Sequence, residues 1–270
     1  MSLAPPSTPS FDLSGRTAAV TGAGGGIGRA VALALGEAGA TVWCLDRSGD
    51  LAGITADLVR TAGGAAEWRA VDVTRSAEVD DAADAAAATG DLRIWVNCAG
   101  IMTYAKVVDL TEDDLDAVLA VNFKGTVFGA QAAARRMIAA GTGGSIVNVA
   151  SAILDGPQPR MAAYGASKAA ASHFSRTLAM EVGKRGIRVN VVAPGWTRTP
   201  MTESQFIGPE GEVDEGAAGQ TVDMMASFTP LRRVAEPADS ALAVLWLASD
   251  AAAFVTGQTI RPHGGVTMPW

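Results

Sequence analysis

Two residues four positions apart, Tyr164 and Lys168, carry side chains that could together move a proton. On a helix this spacing places both side chains on one face, where an ammonium group favours the ionised form of a neighbouring phenol. A tyrosine in such a place can act as an acid or a base near neutral pH. We therefore predict that Tyr164 is a general acid/base whose pKa is lowered by Lys168.

A glycine-rich segment at residues 21–28, with the spacing T-G-x-x-x-G-x-G, supplies a second kind of chemistry. Gly22 permits a tight bend, Gly26 lets the backbone approach a pyrophosphate, and Gly28 lets a helix pack close to the preceding strand. Such a turn predicts a bound dinucleotide, so the proton of Tyr164 would accompany a hydride carried by a nicotinamide. The residues predicted to form this cofactor loop are Gly22, Gly24, Gly26, Ile27 and Gly28.

These candidates are positioned by short β-rich segments that alternate with longer helical patterns. Seven strands separated by helices predict an α/β fold, in which a single Rossmann-type, doubly wound parallel sheet has helices on both faces. We interpret residues 1–14 as a loose N-terminal arm and residues 15–270 as one catalytic domain, in which residues 195–230 cover the substrate. The predicted strands are residues 17–20, 41–45, 66–71, 94–97, 145–149, 188–192 and 259–261.

The candidate residues fall at the carboxyl ends of these strands, where doubly wound sheets bind their ligands. The glycine-rich segment follows the first predicted strand, and Asp46 ends the second. Asp72 ends the third strand, and residues 97–100 end the fourth. Ser151 follows the fifth strand, and residues 194–195 follow the sixth. Six strand ends therefore predict one site at a single edge of the sheet.

Asp46 bears on the choice between NAD(H) and NADP, because its carboxylate can accept hydrogen bonds from the adenosine ribose hydroxyls. A 2′-phosphate would be repelled by that charge, and Gly24 and Gly25 carry no basic side chain to offset it. We therefore predict NAD(H) as the cofactor. Arg47 keeps NADP open, because its guanidinium can turn either toward a 2′-phosphate or toward solvent.

Two further strand ends are predicted to contact the adenosine half of the cofactor. After the third strand, the Asp72 carboxylate and Val73 could hold the adenine, or Asp72 could cap the following helix. After the fourth strand, small residues are consistent with backbone lying against the cofactor, and a plain turn is the alternative. The residues predicted there are Asn97, Ala99 and Gly100.

The composition limits the classes of function. The chain has 270 residues, 49% of them hydrophobic, and a formal net charge of -7, which predicts a full core without metals or disulfides. It has no basic block, so no nucleic-acid partner is expected, and its apolar runs are too short to predict a membrane span. The two cysteines, Cys44 and Cys98, fall in apolar segments, and the N-terminus does not resemble a secretory signal. We therefore expect reduced thiols and a cytoplasmic protein.

With these motifs in view, the chain resembles the short-chain dehydrogenase/reductase family, in its subgroup with T-G-x-x-x-G-x-G and Y-x-x-x-K motifs. The resemblance covers residues 13 to about 266. One departure is Cys98, where the family more often has an asparagine. Beyond the two motifs, the matching positions are Asn97, Ala99, Gly100, Asn122, Ser151, Pro194 and Gly195.

The resemblance implies catalytic roles for four residues. Tyr164 protonates a carbonyl oxygen during reduction and removes the hydroxyl proton during oxidation, and Lys168 also hydrogen-bonds the nicotinamide ribose. Ser151 holds the substrate oxygen and stabilises the charge that develops on it. Asn122, in a helical pattern that begins with a capping signal at Thr111, accompanies a helix kink and binds a water that links Lys168 to solvent.

The resemblance also implies where the nicotinamide lies. Pro194 and Gly195 stand beside its carboxamide in the family. Thr197 or Thr199 could hydrogen-bond that carboxamide, and we favour Thr199.

The residues expected around the reacting carbon predict an apolar ketone or secondary alcohol as the substrate. Arg160 and Arg198 could instead meet a substrate carboxylate, although a solvated position is the usual one for such side chains. The residues expected in the pocket wall are Met102, Ile153, Trp196, Met201, Met224 and Met225.

Two alternative functions stay open. A 3-oxoacyl-[acyl-carrier-protein] reductase using NADPH is similar in the segment from Pro230 to Gln258, although Asp46 and the acidic balance oppose NADPH and an acidic carrier. A catalytically silent NAD-sensing or scaffold protein could share the fold, because fold alone does not establish activity.

Assembly is a further expectation, because members of the family commonly form tetramers. The surfaces involved there correspond to residues 114–140, 163–185 and 259–270 of this chain. We therefore predict a homotetramer. Trp270 is predicted to pack against a neighbouring subunit or the substrate cleft.

Overall fold

The computed structural model describes residues 11–207, 212 and 214–268. The strands are β1 (Arg16–Thr21), β2 (Thr41–Asp46), β3 (Ala65–Ala70), β4 (Asp91–Asn97), β5 (Gly144–Val149), β6 (Ile187–Val192) and β7 (Thr259–Ile260). Within the described residues they form one parallel sheet in the order β3-β2-β1-β4-β5-β6-β7. The order reverses between β1 and β4, as in the predicted doubly wound sheet. The fold class is therefore confirmed.

Helices connect the successive strands, because parallel neighbours in a sheet need a crossover connection. The α-helices are α1 (Gly26–Glu37), α2 (Gly49–Thr61), α3 (Ser76–Thr89), α4 (Glu112–Leu119), α5 (Gly125–Ala140), α6 (Ala162–Val182), α7 (Pro200–Glu203), α8 (Glu215–Ser227) and α9 (Pro237–Ala248). Short 3₁₀ turns occur at Val107–Asp109, Ala152–Leu154, Gly183–Arg185, Ser204–Phe206 and Asp250–Ala252. None of the described helices is both long and apolar enough to cross a membrane.

The central strands are buried on both faces, which explains their continuous apolar runs. Because successive side chains of a strand point to opposite faces, each strand supplies two layers of core. In β1, Ala18 and Val20 pack with residues of α1 and α9, whereas Ala19 packs with residues of α3, α5 and α6. In β4, Ile94 joins the first layer and Trp95 the second.

The helix predicted over residues 114–140 is divided into α4 and α5 by a π-helical turn at Ala120–Lys124. The capping signal at its start is present, because the Thr111 hydroxyl accepts a hydrogen bond from the Asp114 amide at 3.1 Å. The wider turn contains the buried Asn122, whose side chain is engaged outside the helix. Insertions of this kind are frequent at functional sites.

The two ends of the chain differ from the expectations in a limited way. Strand β7 stops at Ile260, one residue before its predicted end, because its partner strand β6 ends at Val192, opposite Ile260. Most of the predicted N-terminal arm falls in residues 1–10, outside the described part of the chain. The predicted packing of Trp270 also lies outside the described residues.

Candidate active site

A cavity of about 1520 Å³ runs along the carboxyl edge of the sheet, where the sequence predicts a site. It reaches from the glycine-rich loop before α1 to α6 and α8. The predicted cofactor residues that line it are Gly22, Gly26, Ile27, Gly28, Asp46, Arg47, Asp72, Val73, Ala99, Gly100, Tyr164, Lys168, Pro194, Gly195, Thr197 and Thr199. Gly24, Asn97 and Asn122 support the cavity from outside its lining.

Glycine is required in the loop because the backbone passes too close to itself for a side chain. Gly22 has a φ of +69°, and a Cβ there would lie 2.7 Å from the backbone of Ala99. A Cβ on Gly28 would lie 2.0 Å from the Gly22 carbonyl oxygen. Gly28 therefore closes the turn itself, in addition to its predicted role in packing the helix. Gly25 faces open space, so this backbone can be approached by a pyrophosphate.

Two side chains that sequence reasoning missed hold the loop from below. The Arg29 guanidinium donates to the Gly24 carbonyl and, through Nε, to the Thr55 hydroxyl at 3.0 Å. Thr55 in turn donates to the Ala23 carbonyl at 2.8 Å. Thr55 is fully buried, so its hydroxyl needs these partners. No sequence signal marks this pair, because the two residues belong to different helices and meet only in the fold.

Asp46 lies at the end of β2 with both carboxylate oxygens held by the backbone. Oδ2 accepts from the Gly24 amide at 2.9 Å, and Oδ1 accepts from the Ser48 amide at 3.0 Å. Each oxygen keeps a second lone pair, so the carboxylate can still accept hydrogen bonds from ribose hydroxyls. The exposed Arg47 lines the same end of the cavity.

Asp72 forms a local turn with Thr74 and does not cap α3, whose N-cap residue is Arg75. Asp72 Oδ1 accepts from the amide of Thr74 at 2.9 Å and from the hydroxyl at 2.7 Å. These hydrogen bonds from Thr74 hold the pKa of the Asp72 carboxyl below its ordinary value, and the nearby charges of Arg47 and Arg75 add to the effect. Asp72 also lines the cavity with Val73, so the turn and the predicted adenine contact are compatible.

The Asn97 side chain is turned away from the cavity, so only the backbone of this residue is left for the predicted contact with the cofactor. Its amide oxygen accepts from Trp95 Nε1 at 2.8 Å, and its nitrogen donates to Asn148 Oδ1 at 2.8 Å. Asn148 donates in turn to the Ser175 hydroxyl of α6 at 2.8 Å. All these polar groups are buried, so the Asn97 side chain joins β4, β5 and α6 rather than offering a group to a ligand.

Lys168 and Tyr164 lie on one face of α6, as their spacing predicts. The Lys168 ammonium donates to the Val149 carbonyl at 2.9 Å, which ties α6 to the end of β5. It stands 5.7 Å from the centre of the Tyr164 ring. Ser151 follows β5, and its hydroxyl is hydrogen-bonded to Tyr164 and accepts from the Ile153 amide at 3.3 Å. The three predicted catalytic side chains are therefore brought together.

Burial shifts the pKa values of Tyr164 and Lys168. It raises the pKa of Tyr164 to about 12, although the hydrogen bond with Ser151 acts in the opposite direction. Burial also lowers the pKa of Lys168 to about 8. The expected lowering of the Tyr164 pKa by Lys168 is thus outweighed in this structure, because desolvation penalises the phenolate and the ammonium alike.

Asn122 supports the site through the π-helical turn. Its amide oxygen accepts from the Ile101 amide at 2.9 Å, and its nitrogen donates to the Ile101 carbonyl at 2.9 Å. The same nitrogen donates to the Ser167 hydroxyl at 3.0 Å. A Cβ on Gly100 would lie 3.4 Å from Asn122 Oδ1 and 3.5 Å from Lys168 Nζ, so both groups lie close to Gly100. The implied link to Lys168 is geometrically possible.

The two candidate threonines already have local partners. The Thr197 hydroxyl donates to the Gly195 carbonyl at 3.0 Å. The Thr199 hydroxyl caps α7 and accepts from the Thr202 amide at 3.4 Å. Its methyl group also faces the loop, because a Cβ on Gly26 would lie 3.1 Å from it. Both hydroxyls retain hydrogen-bonding capacity at the cavity.

The six residues expected in the pocket wall, from Met102 to Met225, all line the cavity. Arg160 lines it as well and adopts a left-handed φ of +68°, whereas Arg198 is absent from the lining. Phe228, from the predicted substrate-covering segment, also lines the cavity, and lining residues that sequence reasoning missed include Tyr104, Leu231, His263 and Thr267. The signal for His263 was its place just after β7, the seventh strand end.

Both cysteines are free thiols. Cys44 is buried in β2, and Cys98 lies beside the cavity. Burial raises the pKa of each thiol to about 12, so neither is an activated nucleophile.

The chain is similar to known proteins along almost its whole length. A family model described as Enoyl-(Acyl carrier protein) reductase matches residues 22–267. The chain is 38% identical over 261 residues to the short chain dehydrogenase/reductase astE of Aspergillus oryzae, a match that covers 96% of this chain and 97% of that protein. It is 37% identical over 259 residues to 3beta-hydroxysteroid dehydrogenase 1 of Eggerthella lenta, covering 95% of each.

A solved structure shows the same architecture. The crystal structure of a gluconate 5-dehydrogenase from Burkholderia cenocepacia, in complex with NADP and tartrate, is 35% identical to this chain with a TM-score of 0.87. The match covers 97% of this chain and 99% of that one. With the glycine-rich loop, the grouped Ser151, Tyr164 and Lys168, and these relatives, the chain belongs to the short-chain dehydrogenase/reductase family of oxidoreductases, which use a nicotinamide cofactor.

Proposed function

We propose that this protein transfers a hydride between NAD(H) and an apolar ketone or secondary alcohol, with Tyr164 as the general acid/base. The observation that carries the proposal is the meeting of Ser151, Tyr164 and Lys168 in the cavity that also contains the glycine-rich loop. One cavity therefore offers a proton donor and a place for a dinucleotide. The bound cofactor would supply the hydride.

Each side chain has a separate task in this proposal. Tyr164, protonated at neutral pH because its pKa is raised to about 12, gives its proton to the carbonyl oxygen during reduction. Ser151 holds the same oxygen through its hydroxyl and stabilises the developing negative charge. Lys168 contributes positive charge beneath the ring, which favours the phenolate left after proton transfer.

The preference for NAD(H) rests on Asp46. Its carboxylate lies at the end of β2 beside the glycine-rich loop, where in this proposal the adenosine ribose binds and a 2′-phosphate would bring a second negative charge close to it. Arg47 is the opposing feature, because it lines the same end and could pair with that phosphate. The solved gluconate 5-dehydrogenase contains NADP, so the choice needs a direct measurement.

The preference for an apolar substrate rests on an apolar part of the cavity wall. Trp196 and Met201 come from the segment after β6, and Met224, Met225 and Phe228 come from α8 and its end. A sugar hydroxyl facing this wall would lose hydrogen bonds to water without replacement. Among the relatives, the 3beta-hydroxysteroid dehydrogenase favours this proposal and the gluconate 5-dehydrogenase opposes it.

The second candidate is a 3-oxoacyl-[acyl-carrier-protein] reductase that uses NADPH. Arg160 favours it, because this exposed guanidinium at the cavity could hold a phosphate or carboxylate of a long substrate. The description of the matching family model points the same way. A silent NAD-binding protein is disfavoured, because it would not need the grouped Ser151, Tyr164 and Lys168.

Initial rates would test these functions. We would follow the oxidation of NADH and NADPH with a panel of aryl and alkyl ketones, diketones, a sugar acid and a 3-oxoacyl thioester. NADH-dependent reduction of simple ketones is the expected result. NADPH-dependent reduction of the thioester would favour the second candidate, and no turnover with bound NADH would favour the silent protein.

A tyrosine variant gives the panel a matched control. We expect Tyr164→Phe to bind NADH normally and to lose at least about 10²-fold in kcat, because the proton donor is gone. The other tyrosine of the chain, Tyr104, lines the same cavity, and Tyr104→Phe should retain turnover. Equal activity in both variants would refute the acid/base role of Tyr164.

A further inference from the structure

A bidentate ion pair joins the loop after Ser151 to the C-terminal segment of the chain. Arg261 Nε donates to Asp155 Oδ2 at 2.7 Å, and Nη2 donates to Oδ1 at 2.9 Å. The Asp155 side chain is only 7% exposed, so this carboxylate is largely removed from water. A buried charge is tolerated when its partner has good geometry, and two parallel hydrogen bonds fix the carboxylate in orientation as well as in position. The pair therefore holds Asp155 in one place.

Asp155 ends the short turn that begins at the predicted catalytic serine. The turn Ala152–Leu154 follows Ser151 directly. The Ile153 amide donates to Ser151 Oγ at 3.3 Å, and the Asp155 amide donates to the Ala152 carbonyl at 3.1 Å. A single 3₁₀ turn is too short to be stable by itself, so its ends must be fixed by other elements. Strand β5 fixes the serine end of the turn, and the Asp155 side chain fixes the other end.

Asp155 is also joined to a buried histidine through Thr267. The Gly265 amide donates to His263 Nδ1 at 3.1 Å, so the proton of the neutral ring is on Nε2. His263 Nε2 lies 3.1 Å from Thr267 Oγ1, which lies 3.3 Å from Asp155 Oδ2. Nε2 therefore donates to the threonine, and the threonine hydroxyl donates to the carboxylate. Burial lowers the pKa of His263, which favours the neutral ring that this arrangement needs.

The segment that carries these partners is itself packed against two walls of the cavity. His263 packs on the segment after β6, since a Cβ on Gly195 would lie 2.8 Å from the His263 Cβ. The Leu231 amide, which follows α8, donates to the Gly264 carbonyl at 3.4 Å. Arg261 is therefore a fixed partner, and a movement of the turn after the serine would break the ion pair.

We propose that Asp155 is a positioning residue for Ser151. Through its ion pair with Arg261 it fixes the turn after the serine, and it thereby keeps the Ser151 hydroxyl directed at the substrate oxygen. Asp155 does not line the cavity, so it acts through the serine and not on the substrate. The inference rests on the function proposed above, in which that hydroxyl stabilises charge on the oxygen. Displacing such a group by about 1 Å can cost up to about 10²-fold in rate.

A double-mutant cycle with Ser151 would test this role. We would measure the reduction of a ketone by NADH, and the binding of NADH by its fluorescence, for Asp155→Asn, Ser151→Ala and the double variant. Asp155→Asn should lower kcat by about tenfold and leave the Kd of NADH unchanged. In the Ser151→Ala protein the same substitution should change kcat by less than about twofold, because the hydroxyl that Asp155 positions is absent. Equal fractional losses in both backgrounds would overturn the proposal.

The ion pair of Asp250 with Arg16 provides a matched control. It also has two hydrogen bonds, at 2.6 and 3.1 Å, but it lies where β1 begins, away from the cavity. Asp250→Asn should therefore leave kcat unchanged. If Asp155→Asn is poorly folded by circular dichroism, Arg261→Gln replaces it, because the carboxylate then keeps its hydrogen bond from Thr267. This variant should show the same loss of kcat and the same dependence on the serine.

Hydrogen exchange gives a readout that does not depend on turnover. The amides of residues 153–155 are protected by the hydrogen bonds of the turn. They should exchange at least about tenfold faster in Asp155→Asn than in the wild type or in Asp250→Asn. A wild type that reduces no ketone would refute the proposed function, and this exchange would still decide whether Asp155 holds the turn. Unchanged exchange in both Asp155→Asn and Arg261→Gln would overturn the proposal.

Discussion

At the scale of single residues, the cost of burying a charge is concentrated at one lysine of the candidate active site. Lys168 is almost fully buried, and within the described part of the chain its ammonium donates a hydrogen bond to the Val149 carbonyl. A carbonyl does not neutralise an ammonium group. Lys168 therefore stabilises the fold less than an apolar side chain would at this position. It also places a positive charge beside Tyr164.

This cost should appear in the pH dependence of stability. The pKa of Lys168 falls from 10.5 to about 8, so below pH 8 both states bind the proton and the folded state bears the full penalty. Above pH 10.5 neither state binds it, and the penalty is gone. We expect the free energy of unfolding of the wild type to rise between these values, relative to Lys168→Met, by up to about 3 kcal/mol.

Denaturant unfolding of both proteins across this pH range would measure the difference. Comparison with the variant cancels the opposite contributions of Tyr164 and the two cysteines, whose raised pKa values lower stability at alkaline pH. Lys106→Met, at an exposed lysine, is the control and should show no such difference. A difference that does not change with pH would argue against a penalty from Lys168.

Asp46 carries the prediction on cofactor choice. Asp46→Ser should raise the kcat/KM ratio of NADPH to NADH, because it removes the repulsion of the 2′-phosphate. Asp46→Asn is the matched variant of similar shape, since its one amide oxygen can still accept from either the Gly24 or the Ser48 amide while the charge is lost. Both variants should shift the ratio in the same direction. An unchanged ratio in both variants would contradict this role of Asp46 and would point to Arg47 as the residue that affects cofactor choice.

At the scale of elements, the fit between α5 and the sheet depends on the absence of a side chain at Gly129. A Cβ there would lie 2.1 Å from Asn97 Oδ1 and 2.7 Å from Trp95 Nε1. Glycine lets the helix approach the buried hydrogen bond between these residues. Glycine has a lower helix propensity than alanine, so this close packing is accompanied by a less stable helix.

A pair of glycine-to-alanine variants separates packing from propensity. Gly129→Ala should lower the free energy of unfolding by about 1–3 kcal/mol, because α5 or Asn97 must move. Gly219 lies within α8 with open space around the position of a Cβ, so Gly219→Ala should raise stability by about 0.5–1 kcal/mol. Chemical denaturation would measure both. A stabilised Gly129→Ala protein would contradict the packing described here.

At the scale of the whole molecule, several large apolar side chains are exposed on the surface of the single chain. Met180 of α6 is 87% exposed and Phe254 is fully exposed. Residues of this kind are costly to leave solvated when they form a continuous patch. The helix that carries Met180 is within the segment 163–185 for which an interface is predicted.

The predicted homotetramer can be tested by light scattering. Four chains of 27.4 kDa should give a particle of about 110 kDa. Met180→Asp should reduce that mass, because a charge would be buried in the interface. Ile54→Asp changes an exposed residue of α2, outside the predicted surfaces, and should leave the mass unchanged. A monomeric wild type would rule out the tetramer.

The sequence by itself determined the order of elements and the edge of the sheet that carries the site. Alternating apolar segments and helical patterns are local signals, and strand direction in such a fold places every strand end at one edge. The spacing of Tyr164 and Lys168 likewise fixed their shared helix face. The glycine spacing is also a local signal, and it indicated the predicted cofactor loop.

Only the tertiary structure decided the environment of each group. The inward turn of Asn97, the clamp of Arg29 and Thr55, and the place of His263 depend on residues far apart in the chain. Burial reversed the expected shift of the Tyr164 pKa, because desolvation depends on what packs around a side chain and not on its sequence neighbours. Arg16, Arg93 and Arg188 are also distant in sequence, and they line one cleft because the parallel strands β1, β4 and β6 begin at the same edge of the sheet.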